Sequence, residues 1–157
     1  MIQRIQTVWL LVTTVVLLGL FVFPYVSFID LVGLGKKISV SGVYSSVNNE
    51  EVRESASWLQ AIATAVIALF PLFIVFQFRN RKRQVTLIFV EIILIVLLGV
   101  WMWITANSTL GAINQSVKAD NIGVGFFLLP VAIIFLGMAI GGIRKDEKLI
   151  KSADRLR

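Results

Sequence analysis

Four long stretches almost free of charge decide what this chain can fold into. They cover residues 5–29, 55–78, 85–106 and 121–143, and the third is interrupted only by Glu91. A helix of about 20 mostly apolar residues crosses the roughly 30 Å of hydrocarbon in a bilayer, so each stretch is long enough to span it. None shows the apolar/polar alternation of a membrane barrel strand. The expected fold is all-α: a polytopic membrane protein forming one four-transmembrane-helix bundle over residues 1–157. Composition agrees, with 57% apolar and 15% charged residues, whereas soluble domains carry about a quarter charged. A chain of this size has too little interior to hide that much apolar surface from water.

The first stretch follows Arg4 as the h-region of a signal peptide would. It is too long for one, and Phe23-Pro24-Tyr25-Val26-Ser27 offers no small-x-small cleavage site, so it is read as an uncleaved first helix. Orientation comes from Lys and Arg counted by side. Eleven, including Arg4, Arg79, Arg81, Lys82, Arg83 and those of the tail, fall on one side, against Lys36, Lys37, Arg53 and Lys118 on the other. Both termini are expected in the cytoplasm, the bilayer's anionic headgroups being the partner of the basic side. The basic run at 79–83 thus reads as a cytoplasmic turn, and nucleic acid is not expected as a partner.

Outside the spans, the external loop 30–54 mixes Gly33, Gly35 and Gly42 with alternating Ile38, Val40 and Val43, a pattern for a short β-hairpin. Asn48-Asn49-Glu50-Glu51 then reads as a capped helix start, which projects the second helix beyond the membrane. Trp58, Trp101, Trp103, Tyr25 and Phe28 fall at comparable heights as an aromatic belt. The tail 144–157 places Leu149, Ala153 and Leu156 on one face, predicting an amphipathic C-terminal cytoplasmic helix. It has two readings, a helix lying on anionic headgroups or a docking helix for another protein.

The chain has no Cys and no His. This excludes disulfide frameworks, the usual zinc ligand sets, Fe–S clusters, His-ligated haem and His-dependent nucleophilic catalysis. No metal site, cofactor or enzymatic activity is expected. Glu91 is the one ionisable residue inside a span, counted at about 9 Å from the cytoplasmic end of the third helix. A bare carboxylate there costs a few kcal/mol, so it must be protonated, paired or hydrated. Arg4, Gln6, Gln77 and Arg79 are the candidate partners. Glu91 is then either a structural pin between helices or a proton or cation site. Gly137 and Gly141 form a GxxxG, and Ala61, Ala65 and Ala68 a small-residue face, both suited to close helix packing. Pro71 and Pro130 are expected to kink their helices, and Thr13 and Thr14 to bond their own backbone.

Two motifs add a family resemblance. Met1-Ile2-Gln3-Arg4-Ile5-Gln6-Thr7, running straight into the first span, and the closing segment from Arg144-Lys145-Asp146-Glu147-Lys148 to Arg157 resemble a small four-helix inner-membrane family of Bacteroidota, a domain of unknown function. The resemblance implies a bacterial inner-membrane protein and supplies no catalytic residues. It directs attention to the chain ends, where Gln3, Arg4, Lys145, Lys148, Lys151 and Arg155 are expected to form a cytoplasmic surface for a partner or for headgroups. The expected function is a non-catalytic structural or accessory subunit of a larger envelope complex, partnered by other membrane proteins. The alternative is a small proton- or cation-linked transporter or channel using Glu91.

Overall fold

The computed structural model describes residues 5–29, 33–47, 50–77 and 80–154. Four α-helices are present, α1 Ile5–Leu18, α2 Trp58–Phe76, α3 Arg81–Gly111 and α4 Val124–Asp154, with 3₁₀ turns at Gly19–Phe21 and Ala119–Asn121. Each helix packs on its sequence neighbours, and α1 closes the ring against α4. Two contacts fix α1 antiparallel to α4: Gly142 lies against Ile5 and Gln6, and Gly19 against Leu128. Gly99 against Leu129, and the Trp103 ring 6.3 Å from that of Phe126, do the same for α3.

The fold is not all-α. Between α1 and α2 lies a four-stranded antiparallel meander in the order β1 Val26–Ile29, β2 Gly35–Ser39, β3 Gly42–Val47 and β4 Glu50–Ala56. The expected hairpin is therefore half of a sheet that takes residues from both flanking stretches. The first stretch stops being helical at Phe21, because Pro24 cannot continue the helix ladder. Beyond it, Val26-Ser27-Phe28-Ile29 alternates buried and exposed, as a strand with one covered face does. Glu50 and Glu51 open β4 rather than a helix, while Asn48 and Asn49 lie outside the described residues. Helix α2 starts only at Trp58, after Ser57, which makes no side-chain cap.

Gly42 turns β2 into β3 with φ +149°, and a Cβ there would stand 2.0 Å from the Ser55 carbonyl oxygen. No side chain fits between β3 and β4 at that point. Lys36 on β2 reaches across the sheet to Glu54 on β4 at 3.0 Å. Arg53 donates to the Ser41 carbonyl and lies 4.9 Å over the Trp58 ring, fastening β4 to the start of α2.

Other expectations change with length. Helix α3 runs 31 residues to Gly111, beyond the span expected to end at 106. Helix α4 begins at Val124 and continues without a break through Asp154, so the tail up to that residue is the end of α4 and not a separate helix. The side chains of Leu149, Ile150 and Ala153, and all of Leu156, lie outside the described residues. Pro71 and Pro130 both sit inside helices that continue past them.

Three helices among the described residues are long and apolar enough to cross a membrane: Trp58–Phe76, Arg81–Gly111 and Val124–Lys148. The fourth expected span is a shorter apolar helix, Ile5–Phe21, about 25 Å long.

The helices are apolar outside and partly polar within. Ile5, Val8, Leu11 and Val15 of α1, Ile62, Val66 and Phe73 of α2, Ile93, Val96 and Val100 of α3, and Phe127 and Ile134 of α4 are all exposed. Turned inward, among Leu10, Leu17, Ile88, Ile95, Met102 and Leu136, are Gln6, Thr13, Thr14, Gln60, Thr64, Gln84 and Glu91. A water-soluble bundle has the opposite arrangement.

Candidate functional site

Every buried polar side chain of the bundle lies on a helix that the apolar outer belt holds in place, and together they form its one chemically distinctive interior feature among the described residues. On α3, Gln84 and Glu91 are two turns apart, in the same buried stripe as Ile88, Ile95, Leu98 and Met102. Seven residues make nearly two full turns, so both polar groups share one face. Glu91 is 0% exposed, and neither carboxyl oxygen has a hydrogen-bond partner among the described residues. Gln84 donates from Nε2 to the Ile74 carbonyl at 3.4 Å, while its own oxygen has no partner. On α1, Gln6 is buried against α4 at Gly142 with its amide oxygen also unpartnered. Thr13 and Thr14 donate to the Trp9 and Leu10 carbonyls at 2.9 and 3.2 Å, so each bonds its own helix as expected. On α2, Thr64 does the same with Gln60.

Of the partners expected for Glu91, Gln6 is buried in the same core and Gln77 is half-buried at the end of α2. Neither bonds it. Arg4, Arg79 and Gln3 lie outside the described residues. Helix α3 starts at Arg81, earlier than expected, so Glu91 is about 15 Å from the helix start rather than about 9 Å. A carboxyl group this deep with no donor among the described residues must be answered by a proton, a cation or water. Gln60, Thr64 and Gln84 escaped the sequence reading, which singled out the one ionisable residue inside a span. Their signal was spacing, i to i+4 for Gln60 and Thr64 and i to i+7 for Gln84 and Glu91.

At the opposite end from Gln84, the sheet is clamped onto the bundle. Gly123 donates to the Tyr25 carbonyl at 2.8 Å, Gly125 to Pro24 at 3.0 Å, and Tyr25 to Ile38 at 3.0 Å, while Val26 bridges Ile122. Cβ atoms at Gly123 and Gly125 would meet the Pro24 and Phe23 carbonyl oxygens at 2.3 and 2.5 Å. Tyr25 and Phe28, expected in an aromatic belt, are instead buried where sheet and helices meet; Trp58, Trp101 and Trp103 are exposed. Beside this junction a cleft of about 450 Å³ is lined by Phe28, Ile29, Asn114, Gln115, Ser116, Lys118 and Asn121. Asn114 is the one non-glycine with positive φ among the described residues, at 55°.

Burial pushes the Tyr25 phenol up from 10.0 to about 12, and the neighbouring Gln60 side chain pulls it back slightly without reaching hydrogen-bond geometry. A raised phenol pKa favours the neutral form in the folded state. Its contribution is whole below pH 10 and is lost as pH climbs towards 12. Two pH units correspond to about 3 kcal/mol. Tyr25→Phe, which cannot ionise, should therefore raise the pH midpoint of alkaline unfolding followed by circular dichroism. An unchanged midpoint would mean that Tyr25 is not what limits alkaline stability.

The remaining sequence candidates are scattered. Gly137 and Gly141 are exposed and a Cβ at either meets nothing, so they pack no neighbour within the chain. The glycines that let helices approach are Gly19, Gly99 and Gly142. Ala61 and Ala65 are half-buried, and Ala68 is fully buried. Lys145 and Lys148 are exposed on the last turns of α4, while the side chain of Lys151 and all of Arg155 lie outside the described residues. No group of three or more acidic, Cys or His residues able to hold a metal occurs among the described residues.

A family model described as a domain of unknown function, DUF4293, matches residues 2–156. No curated protein and no solved structure matches the chain.

Proposed function

The chain belongs to the DUF4293 family, a domain of unknown function, and from that premise we propose that it is a non-catalytic integral membrane protein that holds a small sheet rigidly at one face of a bacterial inner membrane, as an accessory or structural subunit of an envelope complex. The observation that carries the reading is the inverted bundle, with its large apolar side chains outside and its glutamines, threonines and glutamate inside. Such a surface is stable only in a lipid or protein surround. The clamp of four backbone contacts around Pro24, Tyr25, Gly123 and Gly125 supports the second half of the proposal, since a sheet this small needs the bundle to hold its shape.

Arg81, Lys82, Arg83, Arg144, Lys145 and Lys148 lie at the end of the bundle away from the sheet, which supports cytoplasmic termini and an external sheet under the positive-inside rule. The terminal motifs support an origin in Bacteroidota. On this reading the exposed strand β4, with Val52, Arg53, Glu54 and Ser55 turned out, is what a partner meets outside, and Lys145 and Lys148 are what it meets inside.

The test is purification of the N-terminally tagged chain in mild detergent, with mass spectrometry of what accompanies it. Stoichiometric recovery of a defined set of envelope proteins is expected. Recovery of the chain alone would remove the subunit reading. Topology is read separately: a Cys introduced at position 152 should resist a membrane-impermeant maleimide in intact cells, and its labelling from outside would reverse the orientation.

A further inference from the structure

The core contacts place the buried polar groups at regular heights. On α4, the level of Gly142 carries Gln6 of α1, and the pairs Gly99 with Leu129 and Trp103 with Phe126 extend that scale to α3. At ~1.5 Å per residue, Gln6 then lies about one turn above Gln84, and Glu91 about one turn above Gln6. The bond from Gln84 to Ile74 sets α2 on the same scale. Thr64, together with Thr13 and Thr14, falls about one turn above Glu91, and Gln60 about one turn higher, next to Tyr25. The polar groups thus recur at roughly 5 Å, a gap that one water molecule bridges with two hydrogen bonds. Their free atoms are those such waters would need: oxygens of Gln84, Gln6 and Glu91, the Gln60 Nε2 and the Tyr25 hydroxyl are all buried without partners.

Among the described residues, no charged group faces Glu91 from the elements packed around it. Helix α2 has none, the described part of α1 has none, and α4 has none before Arg144. On its own helix the nearest are Arg81, Lys82 and Arg83 at the start of α3. Among the described residues, no charged side chain of the column pairs with Glu91.

We infer that this column is a single-file water path along the bundle axis with Glu91 as its proton-exchanging group, entered at Gln84 and reaching Tyr25 beneath the sheet. The exchanged proton comes from hydronium, which is left as water when the carboxylate becomes the acid, and returns to water on the other side of Glu91. This goes beyond the scaffold reading and does not depend on any partner protein.

The full chain, reconstituted in phosphatidylcholine and phosphatidylglycerol vesicles containing a pH-sensitive dye, should acidify the interior faster than protein-free vesicles under a valinomycin-set potassium potential. Glu91→Gln should lower that rate about tenfold, to the protein-free background, because it removes the one carboxyl group in the path among the described residues. Gln84→Leu should slow it with Glu91 intact. If Glu91→Gln fails to fold, dicyclohexylcarbodiimide does the same job on the native chain: a mass adduct on Glu91 and loss of flux are expected together. Wild-type flux no greater than the lipid background, flux unchanged in Glu91→Gln, or flux surviving an adduct on Glu91 would each overturn the inference. Co-purification of partners is unaffected by any of these results, so the two proposals fail separately.

Discussion

Gly123→Val should release the sheet from the helices. A Cβ at residue 123 would stand 2.3 Å from the Pro24 carbonyl oxygen and 3.2 Å from the Tyr25 carbonyl carbon. These are backbone atoms that no side-chain rotation can move. The chain must separate there, and the bonds from Gly123 to Tyr25 and from Gly125 to Pro24 go with it, as does the Val26–Ile122 bridge. Overpacking of this kind costs about 1–3 kcal/mol, and each lost hydrogen bond about 1 more. The result is therefore a loss of about 4 kcal/mol, confined to one end of the molecule. Hydrogen exchange should show amides of β1 and β2 losing about two to three orders of magnitude of protection. The buried amides of α3 should keep theirs. Uniform loss over helices and sheet would show that the junction supports the whole bundle; no change would show that the sheet is held by other contacts.

Glu91→Leu should act in the opposite direction and stabilise the fold. The carboxyl group has no partner among the described residues, and the surrounding side chains include Ile88, Ile95 and Leu98 of the same stripe. Replacing an unsatisfied buried polar group with an apolar one of similar volume removes a desolvation penalty of about 1–3 kcal/mol. The thermal midpoint of the detergent-solubilised protein should rise by several degrees. The same variant should have no proton flux, which separates what Glu91 costs the fold from what it does. A lower midpoint would mean that Glu91 is held by an ion pair, with Arg4 the first to test by Arg4→Gln.

Much of this was legible in the chain because apolar helices are encoded locally. Twenty uncharged residues in succession have few alternatives in lipid, so α2, α3 and α4 follow from length and hydropathy alone. The isolation of Glu91 was visible in the same way, as one acid inside an otherwise uncharged stretch. The sheet was only half visible. Ile38, Val40 and Val43 alternate, but β1 lies hidden in an apolar run that reads equally as helix, and β4, rich in Glu, reads as a capped helix start. Hydropathy does not distinguish a buried strand from a helix over four residues. The tail is helical up to Asp154, as its spacing led one to expect, but as the end of α4, because nothing in the sequence breaks the helix between Ile143 and Arg144.

The sequence by itself determined where the long apolar stretches lie, where charge is excluded and which acid stands alone, because these depend on residues adjacent along the chain. Only the tertiary structure decided which faces meet. It turned Gly137 and Gly141 outward and gave close approach to Gly123, Gly125 and Gly142. It buried Tyr25 and Phe28 at the sheet junction, and it turned Gln84, Gln6, Glu91, Thr64 and Gln60 of three different helices into the interior. The order of these groups is set by the relative register of helices, and register depends on side chains far apart in sequence fitting together at close-packed density.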